Sequence, residues 1–300
     1  MEVYEITRLE SGFEYLEIDC FSENQLLKYT ERQRQFSAKI TKNWDKDKKV
    51  EWLIRNYLSL KMILSSTLLL NSAEFAKESN LRVVEPYLLY YSLLNTGRAL
   101  LFADPSVEWN TGALIRLSHN RVISRVFEAI RIISPKEGER IKFFLEEAKG
   151  QRELFSYRFP SNGVYSIKHQ SSDIDFEETL NTCRLLTELA QFNSEIFQIS
   201  CEKNINEIIN LNNFDLSEGF IYKDYVKTSY DNDSDSVIDH EDYYRLSYFI
   251  RKKLDPVNIF WTAREGLVED FFGAWTLAEE DRGDAYFDPD QNWGLLLSPL

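Results

Sequence analysis

Glycine and proline are scarce in this chain, at 11 and 7 of 300 residues, roughly half of ordinary usage. β-Sandwiches and doubly wound sheets need turn glycines every few residues, so both lose weight and a chain of long helices gains it. Cysteine is scarce too. Cys20, Cys183 and Cys201 form no C-x-x-C pair, and an odd count gives no disulfide framework, which fits a reducing cytoplasm. The three histidines, His119, His169 and His240, make no H-x-x-x-H, H-E-x-x-H or Cys/His cluster. No metal is therefore expected. The phosphate-cradling patterns G-x-x-x-x-G-K-[ST] and G-x-G-x-x-G are missing, as is the G-x-S-x-G elbow, so no nucleotide cofactor is expected either. The opening MEVYEITRLE is acidic and lacks an apolar core, so no secretory signal is read.

What the chain does have is apolar and aromatic mass. Hydrophobic residues make up 43% and aromatics 14%, enough for a sizeable core and too much for disorder. The longest apolar stretch, VVEPYLLYYSLLNTGRALLF (83–102), is nearly of membrane length. It carries Glu85, Asn95 and Arg98, with tyrosines through its middle, and reads as a buried bundle helix rather than a span. The formal charge of −14 is unevenly placed. Residues 201–300 hold 21 acidic and 9 basic side chains, against 28 and 26 in residues 1–200. Such a field repels a phosphate backbone, so the C-terminal third points to a protein partner with a basic surface, or to self-association.

Periodicity divides the chain into long helical patterns. They run over 22–40, behind a Ser-Glu cap, then 45–79, 82–103, 113–133, the stretch from Pro135 that Gly150 interrupts, and 175–203. Residues 1–20 alternate loosely and read as a short strand or extended arm. Beyond residue 204 come an extended segment, GFIYKDYVKTSY, and two further helical patterns. The reading is a mainly α multi-helix bundle over 1–204 with an N-terminal arm, and a small acidic α+β part over 205–300.

DNDSDSVIDHED (231–242) follows the ligand order of a calcium-binding loop at Asp231, Asp233, Asp235 and Asp239. Ser236 stands where the turn glycine belongs, and Asp242 replaces the bidentate glutamate. With no second such loop, an acidic connector that caps the following helix is the expectation.

Two basic groups remain. In RLSHNRVISR, Arg116 and His119 are three apart and would share one helix face, with Arg121 and Arg125 alongside. Arginines disfavour the charged form of a nearby histidine and keep a neutral imidazole available as a base. In QRELFSYRFP, Arg152, Tyr157 and Arg158 could bridge helices or bind an anion or partner. Against both stands the polar face of an ordinary amphipathic helix.

The run EPYLLYYSLLNTGRALLFADP…LSHNR, within residues 80–160, resembles the YaaC-like proteins of bacteria. The matching positions are Pro86, Leu88, Tyr90, Tyr91, Arg98, Ala99, Leu100 and His119. More widely it is similar to HEPN-type helical bundles, which occur in bacterial toxin–antitoxin and phage-defence systems. The catalytic members share an arginine, four to six residues, then histidine. Before His119 those places hold Gly112, Ala113 and Leu114, and neither His169 nor His240 has the arginine. The resemblance therefore implies an HEPN-like core serving as a cytoplasmic interaction protein, accessory or antitoxin-like. The alternative is a degenerate metal-independent ribonuclease in which Arg116 holds the phosphate and His119 is the acid or base.

Overall fold

α4 (Glu85–Ala103) is the helix around which the others gather. Leu89, Tyr90, Leu93, Leu94, Leu100 and Phe102 are all buried, so the near-membrane-length stretch is a bundle helix. The computed structural model describes residues 3–161, 174–214, 238–252, 255–263 and 266–298. Among these, no helix is long and apolar enough to cross a membrane.

The described residues form ten α-helices and no strand. α1 (Val3–Thr7) is short; α2 (Glu23–Thr41) and α3 (Lys46–Glu78) follow. After α4 come α5 (His119–Arg131) and α6 (Pro135–Glu153). α7 (Phe176–Asn204) precedes the short C-terminal helices α8 (His240–Lys252), α9 (Ile259–Ala263) and α10 (Leu267–Gly273). α3 lies along α4, α5 and α6 cross it as a pair, and α7 packs between α4 and α2. α8, α9 and α10 close over α3. One apolar cluster runs from Val3 to Leu297, so the described C-terminal residues share the core of the bundle.

Local chemistry sets the ends. Ser22 and Gln25 form a capping box on α2, the Ser22 N–H donating to Gln25 Oε1 at 2.8 Å. Asp45 accepts the Lys48 N–H at 2.8 Å to start α3, and Asp175 caps α7. α4 stops at Asp104-Pro105, and its loose carbonyls are taken by a buried arginine from α3. Arg55 donates Nε to Phe102 O and Nη2 to Asp104 O, both at 2.7 Å, and to Val107 O at 3.0 Å. Its guanidinium lies 4.2 Å from the Trp52 ring, which stacks on Phe197.

Several expectations need correcting. The N-terminal arm is not a strand: it opens with α1 and continues irregularly, turning at Gly12 (φ 76°). The pattern 113–133 is not one helix, because Asn110–Arg116 is a 3-10 segment and Leu117 is extended (ψ 130°). Gly150 does not interrupt α6. The change comes at Leu154–Arg158, a π-turn that ends on Phe159 at φ 35°. The pattern after Asn258 is two helices, split at Gly266 (φ 78°). GFIYKDYVKTSY, the expected β contribution of the C-terminal part, lies outside the described residues.

The most continuously buried helix is α7, not α4. Every residue from Leu185 to Gln198 is buried, including Thr187, Glu188, Gln191, Asn193, Ser194, Glu195 and Gln198. Apart from Thr187, whose Oγ1 has no partner among the described residues, these polar groups bond to neighbours. Gln191 Oε1 accepts the Phe260 N–H at 2.9 Å, Ser194 Oγ accepts the Ile259 N–H at 3.1 Å, and Gln198 Oε1 accepts the Asn258 N–H at 2.8 Å. Three side chains of α7 thereby cap the start of α9.

Candidate functional site

Where α4, α5 and α6 meet, their side chains converge on a basic, aromatic group. α4 supplies Tyr90, Tyr91 and Arg98. Tyr91 and Arg98 are seven residues apart, two turns, and so share a face. α5 supplies His119 in its first turn, directly after Ser118 in extended conformation. Its approach to α4 depends on Gly97, where a Cβ would meet Val126 Cγ2 at 3.1 Å and Val122 Cγ1 at 3.4 Å. α6 supplies Lys149 and Arg152, and the π-turn supplies Tyr157.

His119 Nδ1 lies 2.9 Å from Tyr90 Oη. The Arg152 guanidinium sits over both tyrosine rings, 5.1 Å from the centroid of Tyr90 and 5.9 Å from that of Tyr91. The hydroxyls of Tyr157 and Tyr90 lie beside Arg152, and the Tyr90–His119 bond runs in either direction according to the imidazole tautomer.

The electrostatics follow from crowding. Burial lowers the His119 pKa below its ordinary value, and Arg98, Arg152 and Lys149 push it the same way against Glu153. The imidazole is therefore neutral at physiological pH. Burial pushes Tyr90 up to about 12, so it relays a hydrogen bond without ionising. Arg98 is lowered by burial. Burial acts on Arg152 likewise, but the Tyr157 hydrogen bond and the two phenols outweigh it and hold Arg152 above its ordinary value.

Two donors are left over. The Nε atoms of Arg98 and Arg152 are buried and have no hydrogen-bond partner among the described residues. Arg152 is only 8% exposed, and Glu153 Oε1 approaches it no closer than 4.0 Å. Buried donors without acceptors are rare and ask for an explanation. Arg98 and Arg152 both lie close enough to His119 to disfavour its charged form, and guanidiniums gathered at one place suit a phosphate or similar anion.

Of the residues expected from sequence, His119, Arg152 and Tyr157 come together here. Arg116 does not share a helix face with His119: it ends the 3-10 segment, is exposed, and is separated from α5 by extended Leu117 and Ser118. Arg121 and Arg158 are also exposed, and His169 lies outside the described residues. Arg98, Tyr90 and Tyr91 belong to the group but were not singled out as site residues. Their signal was available, because Arg98 is the one cation in residues 83–102.

Most of the acidic loop, 231–237, lies outside the described residues. Its end is a helix start. Asp239 Oδ1 accepts the Asp242 N–H at 3.0 Å, and Asp242 Oδ2 accepts the Asp239 N–H at 2.9 Å. Asp242 is also bound to Tyr57 Oη at 2.6 Å and to Lys61 Nζ. Both its oxygens are thus engaged by protein donors.

No protein-family model, curated protein or solved structure matches this chain.

Proposed function

We propose that this chain is a cytoplasmic, HEPN-like helical protein that recognises a phosphate-bearing ligand, RNA, at the α4–α5–α6 group. It would act as an accessory or antitoxin-like component of a bacterial toxin–antitoxin or phage-defence system. One observation carries this reading: Arg98 and Arg152, each with a buried Nε that has no hydrogen-bond partner among the described residues, act together on neutral His119. RNA supplies the phosphate oxygens that such donors lack, and the acidic residues 201–300 are left for a basic protein partner.

Fluorescence anisotropy with a labelled single-stranded RNA tests it. Salt-sensitive binding is expected, weakened roughly tenfold or more in Arg98→Ala and Arg152→Ala, the scale of a hydrogen bond to a charged group. Equal binding by wild type and both variants, or none, rejects it. The ribonuclease reading is favoured by the lowered His119 pKa, which leaves a neutral base near the arginines. With Arg116 separated from His119 by extended Leu117 and Ser118, we expect no cleavage above background. A cleavage activity lost in His119→Ala, with melting unchanged, would promote that reading.

A further inference from the structure

A second site lies on different elements from the phosphate-binding group. The N-terminal arm, α7 and α9 enclose a cavity of about 760 Å³. Glu10, Glu14 and Asp19 stand exposed around it, Tyr15 and Trp261 line it, and Glu195 of α7 forms its inner wall. No lysine, arginine or histidine is among the lining residues.

The inner wall is incompletely satisfied. Glu195 is 1% exposed. Its Oε1 accepts from Gln191 Nε2 at 2.9 Å, while Oε2 has no hydrogen-bond partner among the described residues. Tyr15 Oη, on the same wall, is buried and lies beside the Glu195 carboxylate. The two groups face each other closely enough for Glu195 to oppose ionisation of Tyr15, though burial opposes it more. Burial opposes the Glu195 carboxylate more than Ser11, Gln191, Tyr15 and Thr7 stabilise it, and a cation brought by a ligand offsets the difference. Aromatic faces beside carboxylates add cation–π attraction. The acidic rim draws positive charge inward and repels anions.

We propose that this cavity binds a small organic cation, a primary ammonium carried on an apolar body. The ammonium would lie against Glu195 and Tyr15, and the apolar part against Trp261. The Trp261 indole donates to Ser11 O at 2.9 Å, which fixes the ring as part of the wall.

Three probes of one shape test this on the unaltered protein: phenethylamine, phenethyl alcohol and phenylacetate. Binding is followed by calorimetry and by the NMR signal of the Trp261 indole N–H. Phenethylamine should bind saturably and shift that signal. Phenethyl alcohol should bind at least about tenfold more weakly, and phenylacetate not at all. Glu195→Gln should weaken phenethylamine by at least about tenfold. Phenylacetate binding as well as the amine, no saturable amine binding, or a folded Glu195→Gln that binds unchanged would each overturn the proposal. If Glu195→Gln does not fold, the ranking of the three probes on the unaltered protein decides.

Discussion

Glu188 on α7 accepts the backbone N–H of Ile18 at 2.7 Å, across 170 residues of sequence. The N–H groups of Leu16 and Glu17 donate to the same carboxylate at 2.8 and 2.9 Å. One side chain thus fixes the N-terminal arm to the centre of the bundle. Burial pushes its pKa up to about 7, although the three backbone donors pull the other way. The folded state therefore holds the proton more tightly than the unfolded chain, where the pKa is about 4.3. Stability from this group is full below about pH 4 and is lost as pH rises through about 7, an effect of about 4 kcal/mol. Glu195, raised chiefly by burial, acts in the same direction. Urea midpoints of wild type should fall between about pH 5 and pH 7.5, and less steeply in Glu188→Gln. A rising midpoint, or equal slopes, would contradict this.

Arg55 closes the C-terminal end of α4 from inside the protein. Arg55→Ala takes the Arg55 donors from the Phe102, Asp104 and Val107 carbonyls, leaving Asp104 O only the Val107 N–H, and removes the stack on Trp52. A loss of about 3 kcal/mol or more in unfolding free energy is expected. Arg55→Lys should recover only part, because an ammonium cannot reproduce the planar fork. Equal stability of wild type and Arg55→Lys would show that charge alone matters here.

Asp242 joins α8 to α3 through Tyr57 and Lys61. Asp242→Ala should cost about 3 kcal/mol by removing the carboxylate that Tyr57 and Lys61 share. Since both oxygens are already engaged, calcium should produce neither saturable heat in calorimetry nor a rise in melting temperature. A micromolar site that vanishes in Asp231→Ala would overturn the connector reading.

Two glycines of α6 should respond in opposite senses. A Cβ at Gly138 would lie 3.0 Å from the backbone N and Cα of Arg131, so Gly138→Ala should destabilise by about 1–3 kcal/mol. At Gly150 a Cβ meets nothing within 4 Å, so Gly150→Ala should stabilise by about 0.5–1 kcal/mol. Thermal melts of the pair check both signs.

The long helices were legible because their apolar residues repeat at three and four and their ends carry Ser22, Asp45 and Asp175. Backbone conformation was harder to read. Nothing in ALIRLSHNRV announces that Leu117 turns extended, and that one residue undoes the Arg116–His119 pairing. The site was half legible. His119, Arg152 and Tyr157 stood out as polar residues, whereas Arg98 and the two tyrosines looked like parts of a core helix. They are core and site at once, which only the crossing of α5 over α4 reveals. The burial of α7 was hard to read for a related reason. Its Glu, Gln, Asn and Ser residues resemble a solvated face, and burial depends on partners far away in sequence. The readable clue was the absence of any lysine or arginine between Arg184 and Lys203.

That helix also sets an order of events during synthesis. The partners of its buried polar side chains come from Leu16, Glu17 and Ile18 on one side, and from Asn258, Ile259 and Phe260 on the other. While the ribosome is still translating residues 205–257, Gln191, Ser194 and Gln198 have nothing to cap. The bundle can collapse around α3 and α4 early, with Glu188 and Asn193 already able to bond the N-terminal arm and α2, but the Gln191, Ser194 and Gln198 caps form only when α9 emerges. A chain stalled before Asn258 would present its most deeply buried helix with one polar edge still facing water.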